Sequence, residues 1–398
     1  LSLPSPTPDF TPISQHCTPP PIPASSYHSR LAQLTSTLSS LNASAYILEP
    51  SPSSLYYLNV SLSSWGLSER PLLLIIPRSG PIRVLTPKFE APRARLLPLP
   101  VQAEYVLWEE EEDPYAAAVA ALPQGRLLAD GTTRLFVVDG LGRTGRTVEL
   151  APPAIQSIRE RKTEEELEIL RCANERTLLA IRAVRGLLRF GMRESQGRAL
   201  MGQALAQAGL KDLDNIFLVG ENAALPHGRG TDRVIGKSDF VLIDCGGSLH
   251  GYHSDVTRTF ALPGSEIPSS HLQLWYSVQH AQSLALLAAH PGAPAHTIDA
   301  AARSYLNTSH LGPYFTHRVG HGIGLEVHES PYLVASNPRA VQVGNTFSDE
   351  PGVYVLGKMG VRLEDCFEVL GLGVEGQEEG GRVLTLGVGG LARSPWDI

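Results

Sequence analysis

Three histidines, three glycines and two glutamates fall within thirteen residues at His317–Glu329, HRVGHGIGLEVHE. Imidazoles at that density serve as metal ligands or proton carriers, and glycines let the backbone come close to whatever they hold. Alone the stretch decides nothing, because chemistry needs partners for those rings. Two other segments supply carboxylates. In LIDCGGSLHGYHSDVTRTF, Asp244 closes an apolar strand and Asp255 opens the return strand, with glycine-containing turns between them. Folded as a hairpin, the segment brings the two acids together across the ladder. In SDEPGVYVLGKMGVRLEDCFEV, Glu350 precedes a Pro-Gly bend and Glu364 sits at the far end of the returning strand, so these two also meet. Arg362, two residues before Glu364, shares its face by the strand period. Plainer readings exist: Asp244 as a turn cap with Asp255 paired to Arg258, and Arg362 as the neutraliser of one glutamate.

Taken together, four carboxylates among apolar strand residues repel one another, and each costs several kcal/mol in desolvation unless compensated. The basic side chains nearby are too few. Two divalent cations bridged by the carboxylates, with His321 as a fifth ligand, resolve the conflict. Oxygen-rich ligation with one nitrogen suits Mn, Co, Fe or Zn, and the absence of thiolate argues against a structural zinc. His250 and His253, in the hairpin loop, read as bystanders.

The elements that must position these groups follow from periodicity. A Pro- and Ser-rich segment over residues 1–26 is expected to be extended. A small α/β domain over residues 27–150 follows, with a helix at YHSRLAQLTSTLSSL, strands at ASAYILE, LYYLNVS, RPLLLIIPR, IRVLTPK, RLLAD and RLFVVDGL, and a helix at DPYAAAVAAL. The remainder, 151–398, opens with a long amphipathic helix capped by Thr163 with Glu166 at the capping-box position. Two further helices (SQGRALMGQALAQAGL and HLQLWYSVQHAQSLALLAAH) alternate with strand runs in a way that predicts an α+β domain of mostly antiparallel strands. The tail from Gly371 is glycine-rich and reads as irregular.

Composition narrows the function. The formal charge of −7 argues against nucleic acid as a main partner, and no apolar run reaches membrane-spanning length. Four dispersed cysteines (Cys17, Cys172, Cys245, Cys366) indicate neither a disulfide framework nor a zinc ribbon. Glycosylation sequons at Asn42, Asn59 and Asn307 use three of the eight asparagines, which favours the secretory route or the extracellular space over the cytoplasm. The chain begins at Leu1 rather than Met, as it would after removal of a leader or trimming.

The blocks IDCGGSLHGYHSDVTRTF, HRVGHGIGLEVHESPYL and SDEPGVYV…GVRLEDC resemble the signatures of the creatinase/aminopeptidase P/prolidase group, the pita-bread metallopeptidases. The resemblance covers Ile155 to about Leu370. It implies an α+β architecture, with a C-terminal pita-bread domain preceded by a smaller creatinase-type α/β domain. It further implies a dinuclear centre of Asp244, Asp255, His321, Glu350 and Glu364, most simply of manganese, with Asp255 and Glu364 bridging. His227 in AALPHGRG and His328 resemble the family's catalytic histidines, with Glu350 as proton acceptor. His317, Arg362 and Tyr332 fall at substrate-side positions. Tyr332 departs from the family, standing where some prolidases carry an arginine for the dipeptide carboxylate. The implied activity is hydrolysis of the bond preceding proline in short peptides by a metal-bridging hydroxide, in a homodimer. Two rival readings are a relative recruited to other C–N hydrolysis, whether creatinase-like or biosynthetic, and a non-catalytic peptide-binding module on the same fold.

Overall fold

The computed structural model describes residues 8–120, 122–371 and 380–398; residues 1–7 of the Pro-rich segment and 372–379 of the glycine-rich tail lie outside the described residues. The chain divides into two compact units, Ile22–Arg159 and the combination of Leu1–Pro21 with Glu160–Ile398. The N-terminal segment thus belongs to the larger unit: Phe10 is buried in that unit's core and its amide donates to Gln207 Oε1 at 2.7 Å.

The smaller unit is a six-stranded mixed sheet with helices. Its strands are β1 (Ala43–Leu48), β2 (Leu73–Pro77), β3 (Ile82–Pro87), β4 (Ala103–Trp108), β5 (Arg126–Ala129) and β6 (Val148–Leu150). They lie in the order β4-β3-β2-β1-β5-β6, antiparallel at β1–β2 and β2–β3 and parallel elsewhere. The helices are α1 (Ala24–Ser40), α2 (Pro52–Leu58), α3 (Ala91–Ala94), α4 (Pro114–Ala120), α5 (Leu135–Arg143) and α6 (Pro153–Gln156). Two segments expected to be strands are helical. In LYYLNVS, Leu55–Leu58 form the last turn of α2. Ser51 and Ser54 exchange side-chain-to-backbone hydrogen bonds at its start, Pro52 occupies the first turn, and Asn59 ends it in the left-handed conformation at φ 56°. That local capping outweighs the strand preference of the aromatic run. RLFVVDGL is mostly α5, whose Val137 and Leu141 enter the apolar cluster with Tyr115 of α4. A Cβ on Gly140 would meet that tyrosine ring at 2.2 Å, so the glycine is what lets the two helices approach.

The larger unit carries helices α7 (Glu164–Leu187), α8 (Glu194–Gln207), α9 (Ser269–Ala288) and α10 (Ala295–Thr308). The expected box starts α7: the Thr163 amide donates to Glu166 Oε2 at 2.9 Å. One antiparallel sheet joins β7 (Lys211–Val219), β8 (Val241–Leu249) and β10 (Val256–Phe260), with β9 (Tyr252–His253) attached to β8. A second contains β11 (Gly320–Gly322), β12 (Glu329–Leu333), β13 (Thr346–Asp349), β16 (Asp365–Val369) and β17 (Gly381–Val383), in the order β12-β11-β13-β16-β17. β14 (Gly352–Val355) and β15 (Met359–Arg362) make a separate hairpin. Strand β7 and helix α10 were not among the sequence expectations. A bridge between Thr257 and Glu364 ties the two larger sheets, with the Glu364 amide donating to the Thr257 carbonyl at 3.0 Å. The apolar faces of α7–α10 meet those of the strands in one core in which Trp275, Phe260, Phe217 and Phe347 are fully buried.

Replacing Ser51 by Ala removes the α2 cap and is expected to lower stability by about 1 kcal/mol. The check is a lower urea midpoint for the unit's unfolding with the slope unchanged.

Candidate metal centre

The first hairpin delivers its two acids in the register its turn dictates. Thr257 pairs with Asp244 and Val256 with Cys245, so Asp255 comes beside Gly246, two residues along the ladder from Asp244 and on the same face. The approach is tight there: a Cβ on Gly246 would lie 2.0 Å from the Ser254 carbonyl oxygen. Helix α7 fixes this corner from behind. Asn174 accepts the Asp255 amide at 3.3 Å, and Thr177 Oγ1 bonds Ser254 Oγ at 2.7 Å. The second hairpin pairs Gly352 with Arg362, while Asp349 pairs with Asp365 between β13 and β16. Glu350 and Glu364 therefore leave the two ladders side by side.

His321 completes the cluster from β11. Its Nδ1 is 3.1 Å from the Gly322 carbonyl, an acceptor that fixes the proton on that nitrogen. Nε2 lies 3.1 Å from Glu350 Oε1 and 3.7 Å from Asp255 Oδ2. Ligand atoms of His321, Glu350 and Glu364 lie within 4.8 Å of one another, as do those of Asp244, Asp255 and Glu364. Two overlapping triads sharing Glu364 thus each gather donors that could hold a divalent cation. Glu364 Oε2 accepts from Thr257 Oγ1 at 2.6 Å, while its buried Oε1 has no hydrogen-bond partner. Such an oxygen, unsatisfied at 2 % exposure, fits a cation ligand. The five residues thus fit divalent cations: Asp244, Asp255 and Glu364 would hold one, and His321, Glu350 and Glu364 another.

The electrostatics agree. Burial, then the charges of Asp244 and Glu350, push Asp255 well above the carboxylate range. Burial and the same neighbours, with Asp255 foremost among them, do so for Glu364. Burial also works against Glu350, but the hydrogen bond and charge of His321, helped by His317 and Arg362, pull it down to about 2. Among the described residues, the guanidinium set among these four ligand carboxylates is that of Arg362. It pairs with Asp244 rather than with a glutamate, Nη2 to Oδ2 at 2.6 Å. Arg258 pairs with Asp365, not Asp255, at 2.8 Å.

A cavity of about 380 Å³ opens onto the centre, walled by His227 and His328 as well as the ligands. The His328 ring meets His321 edge to face at 4.2 Å. Burial and the neighbouring His321 and Arg318 lower its pKa, keeping it neutral at neutral pH. The far wall holds Asp212, Asp214 and His253. The sequence marked His253 as a bystander, yet it faces the cavity from β9, where it pairs with Ser248. His250 does point away, to the Pro19 carbonyl at 3.2 Å. His317, Arg362 and Tyr332 lie outside the lining. His317 Nε2 bonds the Tyr354 hydroxyl at 2.8 Å, that hydroxyl takes a hydrogen bond from Arg362 at 2.9 Å, and Arg362 holds Asp244. Tyr354, which sequence reasoning passed over, is the link in this relay. Tyr332 sits across the ladder from His321 with the Arg318 guanidinium 4.5 Å over its ring.

Fold and site define a metallopeptidase. Residues 168–370 match the family described as metallopeptidase family M24, and the chain belongs to that family. It is 38% identical over 354 residues to an uncharacterized peptidase of Schizosaccharomyces pombe, covering 85% of this chain and 78% of that one. It is 34% identical over 308 residues to the probable dipeptidase PepE of Mycobacterium tuberculosis, covering 75% and 80%. Among solved structures, dipeptidase PepE from Mycobacterium ulcerans superimposes with a TM-score of 0.82 at 28% identity over 92% of this chain and 97% of that one. Prolidase from Thermococcus sibiricus does so at 0.80 and 28% over 90% and 96%. The architecture is accordingly the pita-bread fold with its N-terminal domain.

Two predictions follow from the geometry. Because Asp255 and Glu364 hold protons above the usual carboxylate range, cation binding must displace them; affinity for Mn²⁺ is expected to rise with pH and to release protons. Calorimetry in buffers of different ionisation enthalpy, between roughly pH 5 and pH 8, reads both effects. Arg362→Met leaves Asp244 uncompensated and unhooks Tyr354. A loss of about 3–5 kcal/mol in stability, with weakened metal retention, is expected in denaturation and metal analysis.

Proposed function

We propose that this chain hydrolyses the peptide bond preceding proline in short peptides. The observation that carries the reading is the cluster of four carboxylates and one imidazole in a small cavity whose walls present three further histidines, His227, His253 and His328. Similarity to a prolidase along nearly its whole length supports the proline preference. The cavity is at the small end of ligand pockets, which favours short substrates.

Two divalent cations bound by Asp244, Asp255, His321, Glu350 and Glu364 would supply Lewis acidity and a water acidic enough to deprotonate at neutral pH. The oxygen-rich set favours manganese or cobalt over zinc. The chain's own groups do the rest. Glu350 accepts the proton of the attacking water. Neutral His328 donates a hydrogen bond to the oxygen on which charge develops. His227, on the same wall, orients the scissile carbonyl or the departing imino nitrogen. The relay from His317 through Tyr354 and Arg362 holds Asp244 in place.

The chain also fits maturation in an oxidising compartment. The structure joins Cys17 to Cys172 as a disulfide, a pairing not expected from their wide spacing, and disulfides persist mainly in secreted proteins. Asn42 and Asn307 are exposed and open to glycosylation, whereas the Asn59 amide nitrogen is bonded to the Pro98 carbonyl at 3.0 Å.

Metal-stripped protein reloaded with Mn²⁺ is expected to turn over Ala-Pro dipeptide and Ala-Pro-Ala tripeptide, and Ala-Ala at least 100-fold more slowly. With Tyr332 where an arginine would hold a dipeptide carboxylate, the tripeptide should not be disfavoured. Equal turnover of Ala-Ala would remove the proline assignment. His328→Ala is expected to cost about 10²–10³ in kcat with little change in metal content.

A further inference from the structure

One other group of metal-ligating side chains gathers among the described residues, away from the catalytic cavity. His16 and Cys17 of the N-terminal segment lie against Cys172 and Glu175 of α7. His16 Nε2 is 2.8 Å from Glu175 Oε2, and these atoms and the Cys17 sulfur all lie within 4.8 Å of one another. The Cys17 sulfur is bonded to that of Cys172. Cys172 and Glu175 are three residues apart on one helix and so share a face. Two sulfurs, one imidazole and one carboxylate therefore converge from two chain segments.

We propose that this cluster is a second metal site which the disulfide masks: once reduced, it binds a single zinc-class divalent cation through Cys17, Cys172, His16 and Glu175. The reading is independent of the peptidase assignment. Opening the bond takes two electrons and two protons. A small dithiol supplies both and leaves as its own cyclic disulfide, so that two protein thiols result. The cation then displaces the two thiol protons, since thiolate is the ligating form. Tetrahedral zinc, with bonds of about 2.3 Å to sulfur and about 2.0 Å to nitrogen, sets its ligand atoms roughly 3.5 Å apart. His16 Nε2 and Glu175 Oε2 already lie 2.8 Å apart, and rotation of the two freed cysteine side chains would separate the sulfurs and turn that of Cys172 toward them.

The segment does not depend on the disulfide to stay in place. Phe10 is anchored in the core. Gln203 Nε2 donates to the Pro8 carbonyl at 3.2 Å, and Pro19 is held by His250. Arg176, buried beside Cys172 and Glu175, donates to the Ser14 carbonyl at 2.7 Å and also to the Cys17 carbonyl. Ligands on such an anchored backbone are preorganised. Two thiolates, a carboxylate and a dication sum to one negative charge, which the guanidinium of Arg176 offsets. The catalytic centre offers no thiolate, so the two sites differ in the metals they prefer.

Cobalt tests this directly, because thiolate ligation gives a sulfur-to-cobalt charge-transfer band that an oxygen and imidazole centre cannot. Full-length protein, reduced and desalted without oxygen, is titrated with Co²⁺. The expected band saturates with one thiolate-bound cobalt per chain, is bleached by Zn²⁺, and is absent from oxidised protein. It should be lost in Cys172→Ser and weakened in His16→Ala. It should persist in His321→Ala, where the catalytic centre is broken. Reduced protein with four titratable thiols but no band overturns the proposal, as does a band that survives replacement of both Cys17 and Cys172, which would assign it to Cys245 or Cys366. The oxidised and reduced wild-type proteins alone decide the matter if a variant does not fold.

Discussion

Four carboxylates meet at the wall of a cavity, three of them only partly buried, with the guanidinium of Arg362 beside Asp244, and most of the larger unit answers to that repulsion. Protein charge cannot balance it. Arg362 is committed to Asp244 and Arg258 to Asp365, and burial holds Asp255 and Glu364 toward their protonated forms. Bound cations would resolve what the side chains cannot, and metal binding would then be linked to the integrity of the two hairpins. The strands bring acids together that would otherwise separate, and the bridge at Thr257–Glu364 places a ligand at the seam between sheets.

Preorganisation of the individual ligands is handled locally. His321 has its tautomer set by the carbonyl of the next residue, so no remote partner is needed to aim Nε2. Asp244 is aimed through Arg362, Tyr354 and His317. Asp255 is aimed by its own backbone, whose amide rests on Asn174. Close approach at Gly246 and at Gly320, where a Cβ would come within 1.9 Å of the Ser348 carbonyl oxygen, leaves these turns no room to relax.

Much of this was legible in the chain itself. Asp244, Asp255, Glu350 and Glu364 could be paired because hairpin geometry is set by turn residues and strand length, both of which are local. The capping box of α7 was visible for the same reason. Long-range pairing was not. The Cys17–Cys172 disulfide spans 155 residues, and nothing in the spacing announces it; a separation of 107 residues likewise hid Asp365, the partner of Arg258. The two strands expected at LYYLNVS and RLFVVDGL failed differently. Their aromatic and β-branched content fits a pleated sheet, but Ser51, Pro52 and Asn59 in one case and the glycine contact with Tyr115 in the other settled the matter for helix. His253 was passed over because a loop histidine carries no periodicity, and only the fold shows which way it faces.

One stretch of α7 serves two masters. Between Cys172 and Thr177 the helix holds the N-terminal segment through Cys172, Glu175 and Arg176, and the Asp255 corner through Asn174 and Thr177. A helix advances about 100° per residue, so inserting or deleting a single amino acid inside that turn would rotate one set of contacts away whenever it kept the other. The turn's length is therefore less free to drift over evolutionary time than its composition, and homologous chains that lack the N-terminal segment are relieved of half that constraint.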